Sequence, residues 1–515
     1  MKKLKIGKIV ALFLVLILAA SLATACNRGN GEDEPGPGPA APGPGGDLTP
    51  PGADDEPDAP PVPMGNIHPI TDFGGRTITF LNWYEGEIRG LLWGVHGEGD
   101  EPDPETSGDY FIDRLRYDNF RRVMNDFNVT LAFIEAPHDP DVYVPLVVNS
   151  VLAGEAVADV VVTPPHFRLN MILGNALIPW DDAREQVPNA DVFNAQDYVM
   201  QLFSPIIPDT IWAIDRVRVS APAILGINLD IIHADGLPDP RDLYDQGQWN
   251  WENMLDIMRR ATRDTTGDGV IDQFGFSGQS GDVLLNFIAA NDGIQVSPAP
   301  YFQYAIDHPN TLEALELWDA IMGEQLWTYL PGIPTWDWAR NFWAGIREAN
   351  IAIWQTADWA FWSETPDFEW TVMPIPKGPS NTSGATFSSA GPTGVSLIGA
   401  NNRWEPWELL VLHEEFWSWA LGQPELYVEG LTNTFRTLFP TERCVQRILG
   451  AVGTGRDDVG NHIAVDGVGF NWMFNDLAES FRGRWRGIME GIEYHRPHRS
   501  HMLDVVFGAD RPTGN

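Results

Sequence analysis

The sequence predicts an α/β protein with two lobes, and three observations support this prediction. Between residues 77 and 162, short apolar runs typical of strands alternate with amphipathic stretches typical of helices. A second series of strand and helix patterns begins at residue 221. The chain beyond residue 65 has about 450 residues, which is enough for two separate hydrophobic cores. We therefore expect two lobes, each with a sheet flanked by helices.

The first 25 residues have the pattern of a secretory signal peptide. Four lysines precede an apolar run over 9–20, and the small residues of 21–25 follow it. The apolar run is too short to span a membrane and is followed by a cleavage site. Leu22 to Cys26 resembles the lipobox of bacterial lipoproteins, so we expect a lipid on Cys26. The alternative is ordinary secretion after cleavage near Ala25.

Residues 26–65 consist mainly of proline, glycine, alanine and acidic residues. Such a segment has too little apolar surface to offset the entropy that ordering would remove. We expect a disordered tether that holds a folded body away from a surface. With the lipid on Cys26, the predicted location is the extracytoplasmic face of the cell membrane, contacted only through the lipid.

The composition excludes several classes of partner. The formal net charge is −38, and a surface of this sign repels nucleic acid and anionic lipid. The chain contains only two cysteines, so no disulfide framework is expected. Phosphate loops and common hydrolase motifs are also absent from the sequence. We expect a monomer that binds neither nucleic acid nor a nucleotide.

The first lobe is predicted from strands at 77–83, 129–134 and 159–162, with helices at 118–127 and 144–152 between them. This order is typical of a parallel sheet. In open sheets of this kind, ligands bind beyond the carboxyl ends of the strands.

The second lobe is predicted from a strand at 221–228, helical patterns within 239–260 and at 311–322, a buried strand at 350–354 and an extended segment at 370–376. The order of these segments resembles that of the bacterial extracellular solute-binding proteins of family 1. These are sugar-binding lipoproteins of ABC importers, and they have the maltose-binding-protein-like fold. The resemblance depends on segments that occur in the family's order, namely 222–229, 236–240, 249–251, 264–276, 352–359 and 373–379.

The resemblance implies the two-lobed type II fold of periplasmic binding proteins, with crossover strands between the lobes. It places the first lobe at 66–220 and 371–400, and the second at 221–370 and 401–515. The implied function is capture of a mono- or oligosaccharide in the interlobe cleft and its delivery to the permease subunits of an ABC importer. No catalysis and no required cofactor are implied. Two alternatives remain open, a cell-attached glycoside hydrolase or lyase and a ligand sensor with the same fold.

Sugar recognition uses aromatic faces that stack on the ring, together with carboxylates and amides that pair with hydroxyl groups. The resemblance places such residues in loops after the first and third strands of the first lobe, and after the buried strand at 350–354 of the second. The predicted ligand-binding residues are Trp83, Tyr84, Glu85, His166, Asp358, Trp359 and Trp362.

A metal site is predicted from the segment 264–275, which copies the first half of a calcium-binding EF-hand loop. Asp264, Thr266, Asp268 and Asp272 place oxygen donors at the appropriate spacing. Gly275 stands where a bidentate glutamate normally completes the coordination. Structural calcium and a tight polar turn therefore both remain open for this loop.

Overall fold

The computed structural model describes residues 65–82, 110–136, 140–163, 165–190, 210–214, 223–295, 297, 303–328, 343–362, 364–384, 394–420, 425–452, 490, 492–493, 496–497 and 500. All of them belong to one compact unit, Pro60–Asn515. Their strands form two separate five-stranded sheets. Among these residues, no helix combines the length and the apolar character that crossing a membrane requires.

The first sheet has the strand order β2-β1-β3-β10-β4. Strands β1, β2 and β3 run parallel, whereas β10 runs antiparallel to both β3 and β4. The bounds of these strands are β1 Arg76–Asn82, β2 Val129–Glu135, β3 Val160–Thr163, β4 Leu177–Ile178 and β10 Gly394–Ile398.

The second sheet has the strand order β7-β6-β8-β5-β9. Strands β6, β7 and β8 run parallel, and β5 lies antiparallel between β8 and β9. The bounds are β5 Ile224–Asn228, β6 Phe274–Ser277, β7 Trp327–Thr328, β8 Ile351–Thr356 and β9 Trp370–Met373. Each sheet has its own hydrophobic cores, so the predicted two-lobed α/β fold is confirmed.

The helices cover both faces of the sheets. In chain order they are α1 Tyr110–Asp126, α2 Pro140–Leu152, α3 Pro165–Leu173, α4 Leu229–Ala234, α5 Pro240–Asp245, α6 Trp251–Ala261, α7 Ser280–Ala289, α8 Pro309–Gly323, α9 Ala344–Arg347, α10 Pro406–Phe416, α11 Glu425–Leu438 and α12 Glu442–Val452. Short 3₁₀ turns lie at Trp180–Ala183, Asp358–Trp362 and Ser418–Ala420.

Alternation along β1 explains why the first sheet is covered on both sides, because successive side chains of a strand point to opposite faces. Ile78 and Phe80 lie in one core with residues of α1 and α10. Leu81 lies in another core with Tyr143 of α2 and Phe167 of α3.

Local side chains determine where several second-lobe helices begin. The side chain of Asn228 accepts a hydrogen bond from the Ile231 N–H at the start of α4. Asn250 accepts in the same way from the Asn253 N–H at the start of α6. Such N-caps typically contribute about 1 kcal/mol. The predicted helical region 239–260 is divided into α5 and α6 by a turn at Gly247, whose φ is 69°.

Two of the segments that carry the sequence resemblance pack against each other. The indole N–H of Trp249 donates to the Pro374 carbonyl at 2.8 Å, and that of Trp251 donates to the Pro376 carbonyl at 2.9 Å. Both indoles are buried. These tryptophans therefore join the start of α6 to the chain that leaves β9.

The path of the chain differs from the predicted lobe boundaries at two places. Strand β9 was assigned to the first lobe from residue 371, but it pairs with β5 in the second sheet. The edge of β5 opposite β8 offers unpaired backbone groups, and β9 satisfies them. Helix α10 was assigned to the second lobe, but Leu409 and Leu412 lie in the core of the first sheet. The buried apolar face of α10 packs in the core of the first sheet.

Helix α11 contacts both lobes. Near its start, Leu426 packs with Ile112 of α1. Near its end, Phe435 lies in the core of the second lobe, where it also contacts Phe439. Helix α11 therefore packs against the first lobe near its start and against the second lobe near its end.

Candidate functional site

The carboxyl ends of three parallel strands meet at one edge of the second sheet. Ser277 at the end of β6 lies beside Thr328 of β7 and Trp354 of β8. The Ser277 hydroxyl donates to the Thr328 carbonyl at 2.7 Å, which ties two strand ends together. This edge is where open α/β sheets bind their ligands.

Gly278 lets the chain turn sharply at this edge. Its φ is 146°, a conformation that residues with a side chain rarely adopt. A Cβ atom here would lie 3.0 Å from Gln355 Cβ and 3.2 Å from a methyl group of Val283. The loop after β6 therefore passes directly against β8, and it brings the first turn of α7 next to Gln355.

Gln355 and Thr356 at the end of β8 carry polar groups that are buried without partners. Gln355 is 1% exposed and Thr356 is 0% exposed. In the described part of the chain, neither amide atom of Gln355 has a hydrogen-bond partner, and neither has the Thr356 hydroxyl. A buried polar group without a partner costs about 1–3 kcal/mol. Such groups require an explanation, and a ligand that supplies the missing partners is one.

Asp282 lies in the first turn of α7, next in the sequence to Val283. Its side chain keeps partial solvent access. Nevertheless, burial raises its pKa to about 6. No hydrogen bond or ion pair to this carboxylate is found among the described residues.

Asp358 opens the 3₁₀ turn that follows β8, and it is 5% exposed. The turn is held from behind by Phe361, which stacks on Trp370 at 4.7 Å and meets Phe439 edge-on at 6.0 Å. The Trp343 indole N–H also donates to the Ala360 carbonyl at 3.1 Å. Aromatic contacts and this hydrogen bond therefore fix the position of the turn.

The corresponding edge of the first sheet has a similar character. Asn82 ends β1 and is 2% exposed, and its side-chain oxygen has no partner in the described part of the chain. The Tyr143 hydroxyl lies 3.0 Å from the Leu81 carbonyl and 2.9 Å from that of Val162, which joins the ends of β1 and β3. Arg168 of α3 is fully buried near the same edge and makes contacts within the protein.

The structure describes only some of the predicted ligand-binding residues. Asp358 lies at the edge of the second sheet together with Gln355 and Thr356, as described above. His166 lies in the first turn of α3, directly after β3, and Trp359 and Trp362 belong to the turn of Asp358, but the side chains of these three are outside the described part. Trp83, Tyr84, Glu85 and the lipidation site Cys26 lie wholly outside the described residues.

The acidic loop between α6 and β6 uses its carboxylates as acceptors for its own backbone. Asp264 accepts from the N–H groups of Thr266, Gly267 and Gly269 at 3.0, 2.7 and 2.6 Å. The Gly269 N–H is the main cause that lowers the Asp264 pKa. The side chain of Asp272 turns back to the Thr265 N–H.

These hydrogen bonds are the ones expected of a tight polar turn, one of the two interpretations of this loop. Among the described residues, no group of three or more acidic, histidine or cysteine side chains is arranged to hold a metal ion. Calcium binding by Asp264, Thr266, Asp268 and Asp272 stays a prediction.

Sequence reasoning missed Asp282, Gln355, Thr356 and Asn82. Three of these lie close to predicted residues in the sequence, since Asn82 directly precedes Trp83, and Gln355 and Thr356 lie three and two residues before Asp358. A polar pair at the end of an otherwise apolar strand is the signal that would have identified Gln355 and Thr356. Asp282 has no comparable signal, because an acid in the first turn of a helix is ordinary.

Comparison with solved structures identifies the fold. The chain is similar to an ABC substrate-binding protein from Listeria monocytogenes in complex with cycloalternan, with a TM-score of 0.53 and 12% identity over 83% of this chain and 99% of that one. UgpB from Mycobacterium tuberculosis in complex with glycerophosphocholine gives a TM-score of 0.53 and 16% identity over 83% and 98% of the two chains.

An ABC transporter solute-binding protein from Agrobacterium radiobacter in complex with ribitol gives 0.51 and 12% over 84% and 100%. No protein-family model matches the sequence, and no curated protein matches it significantly. The predicted two-lobed type II binding-protein fold is confirmed by these structural similarities.

Proposed function

We propose that this chain is a lipid-anchored extracytoplasmic binding protein that captures a carbohydrate and delivers it to an ABC importer. The observation that carries the proposal is the group of polar side chains at the carboxyl edge of the second sheet. In the described part of the chain, Gln355 and Thr356 are buried and their side-chain polar atoms have no hydrogen-bond partner. The hydroxyl groups of a sugar supply donors and acceptors of the kind that such polar groups need.

The fold supplies the second half of the argument. In a two-lobed protein, a ligand held between the lobes is removed from water on both sides, and its binding shifts an open-to-closed equilibrium. In the first lobe, the side-chain oxygen of Asn82 at the corresponding edge has no partner among the described residues. Of the predicted stacking residues, Trp83 directly follows Asn82 in the sequence, and Trp359 lies three residues after Thr356. Removal of hydroxyl groups from water is favourable only when each finds a partner.

The anchoring part of the proposal is supported by the sequence alone. The sequence has a signal peptide, a lipobox-like segment that ends at Cys26 and a proline- and glycine-rich tether. These features fit a protein that is anchored to the outer face of the membrane through a flexible segment. Labelling of growing cells with a radioactive or clickable fatty acid tests this part directly. Incorporation that a Cys26→Ala substitution abolishes is the expected result.

A thermal-shift screen against mono- and oligosaccharides tests the binding function. A ligand that binds only the folded state raises the melting temperature by mass action. At a ligand concentration 100 times its dissociation constant, the free energy of unfolding increases by about 2.7 kcal/mol. We expect at least one sugar to act in this way and to be recovered unchanged. Conversion of the sugar to a product would instead indicate a glycoside hydrolase or lyase. Stabilisation by no sugar would contradict the proposed function.

A further inference from the structure

Residues 65–73, which we call the strap, precede strand β1 and contact helices α1 and α10 of the first lobe. At the end of the strap, Phe73 is buried in the core of the first sheet, and its N–H donates to the Phe127 carbonyl at 2.9 Å. Near the start, the Asn66 amide donates to Asp126 of α1 at 3.0 Å. Ile70, between these ends, is 61% exposed and adds little apolar packing.

The middle of the strap is bound to α10 through His68. The Nε2 atom of its ring lies 2.6 Å from a carboxylate oxygen of Glu414, and its backbone N–H donates to the Glu415 carboxylate at 2.7 Å. Glu414 is 1% exposed and Glu415 is 0% exposed. Two buried carboxylates that are adjacent in the sequence therefore both contact one residue of the strap.

The positive groups beside these two carboxylates differ in how they respond to pH. Arg122 of α1 donates to Glu415 at 3.1 Å, and an arginine side chain does not lose its proton in a protein. His68 faces Glu414, and a histidine ordinarily titrates near pH 6.5. Loss of the His68 proton therefore removes a positive charge from beside a carboxylate that is almost fully buried. Such a loss is unfavourable, because an adjacent positive charge stabilises a buried carboxylate.

Two further titratable groups lie on the same helices. Asp126 belongs to the network, since it accepts from Asn66 and lies 3.9 Å from Arg122. The ring of His413 on α10 packs against the Trp180 ring, with 5.8 Å between their centroids. A histidine at this position also titrates near neutral pH, so an experiment has to distinguish the two imidazoles.

We propose that the strap is a pH-sensitive clasp, which is closed when His68 is protonated and loosened when His68 is neutral. The imidazolium forms a charge-assisted hydrogen bond with Glu414, roughly twice as strong as one between neutral groups. Because proton binding favours the closed state, the clasp is most stable in mildly acidic solution and loses this contribution as the pH rises past neutrality.

Release of the strap would change the length of the predicted tether. Residues 65–72 would join the free chain and lengthen it by up to about 28 Å. This consequence depends on the proposed lipid anchor at Cys26, whereas the clasp itself does not.

Spin labels on the full-length protein test the clasp. A nitroxide attached to Ile70→Cys reports the mobility of the strap by electron paramagnetic resonance. Leu152→Cys on α2, where the native side chain is 74% exposed, is the matched control. Both proteins carry Cys26→Ala, and Cys444 is 1% exposed, so the introduced cysteine is the one labelled. Neither lipid nor sugar enters this experiment, so its result is independent of the proposed function.

We expect the ratio of mobile to immobile label at position 70 to rise about tenfold between pH 5.5 and pH 8, the change that one pKa unit corresponds to. The ratio at position 152 should not change. An unchanged ratio at position 70 would overturn the proposal.

Two substitutions of His68 separate its charge from other effects of pH. His68→Gln is neutral at both pH values, so the label should be mobile at both and the pH dependence should disappear. His68→Lys stays charged at both, so the label should remain immobile at pH 8. A pH response that survives in His68→Gln would overturn the proposal and assign the effect to another group, such as His413. A label that is as mobile in His68→Lys as in His68→Gln at pH 8 would also contradict a clasp that depends on charge.

Discussion

Replacement of Asp282 by asparagine should stabilise the protein at neutral pH. Burial raises the pKa of this carboxyl from 3.8 to about 6, so the charged form is unfavourable in the folded state. One pKa unit corresponds to about 1.4 kcal/mol, which gives an upper bound of about 3 kcal/mol for the shift. Partial solvent access reduces the effect, and we expect a gain of about 1–3 kcal/mol. Asparagine keeps the size of the side chain and has no charge to desolvate.

The pH dependence of this gain follows from the direction of the shift. The folded protein binds the Asp282 proton near pH 6, whereas the unfolded chain binds it near its ordinary value of 3.8. Proton binding therefore favours the folded state, fully below pH 4, and this contribution is lost as the pH rises through 6. The advantage of the asparagine variant should be nearly full above about pH 6.5, half developed near about pH 5 and small below about pH 4.

Urea unfolding at pH 4 and pH 7.5 measures the effect, and the midpoint rather than the slope should change. Glu316→Gln is the matched control, because it removes an exposed charge and should change stability by less than about 0.5 kcal/mol at both pH values. An asparagine variant that is less stable than the parent at pH 7.5, or equally stabilised at pH 4, would refute the reasoning. A gain in stability with a loss in binding is the trade-off expected of a ligand site.

Three further substitutions test how the structure positions the site. Gly278→Val should weaken ligand binding at least tenfold in calorimetry, because its side chain would press on Gln355 and Val283; unchanged affinity would show that this turn does not shape the site. Phe361→Ala removes the ring that stacks on Trp370 and should cost about 3–5 kcal/mol in urea unfolding; a loss below 1 kcal/mol would contradict the anchoring role. Gly226→Ala should destabilise the second lobe by more than about 1 kcal/mol, since a methyl group there overlaps the buried Trp354 indole. Gly450→Ala is its control, with open space around it inside α12, and should raise stability by up to about 1 kcal/mol.

The sequence predicted the elements of the fold well where local patterns determine them. The strand predicted at 129–134 is β2, and the helix predicted at 311–322 is α8, because alternation and helical spacing are local properties. Which sheet a segment joins is decided by contacts between distant residues. Strand β9 and helix α10 were therefore assigned to the wrong lobe, although β9 lies within the extended segment predicted at 370–376.

The site was predictable only in part for the same reason. Asp358 follows a recognisable strand, and the structure places it directly after the carboxyl end of β8. Asp282 comes from a different strand end, and only the register of β6 against β8 brings its turn to Gln355. Neither residue type nor spacing reveals that a carboxylate will lack a partner. That property arises from three-dimensional packing.

The position of β10 in the first sheet has a consequence for how the newly made chain matures. Gly394 pairs with Thr163, so an inner strand of the first lobe is synthesised only after the whole second sheet. Until that strand emerges from the ribosome, β3 and β4 lack the neighbour that joins them, and the amino-terminal half cannot complete its core. Pairing between such distant segments is intrinsically slow. If the chain is exported as proposed, this order of strands delays completion of the first lobe until most of the chain has been synthesised.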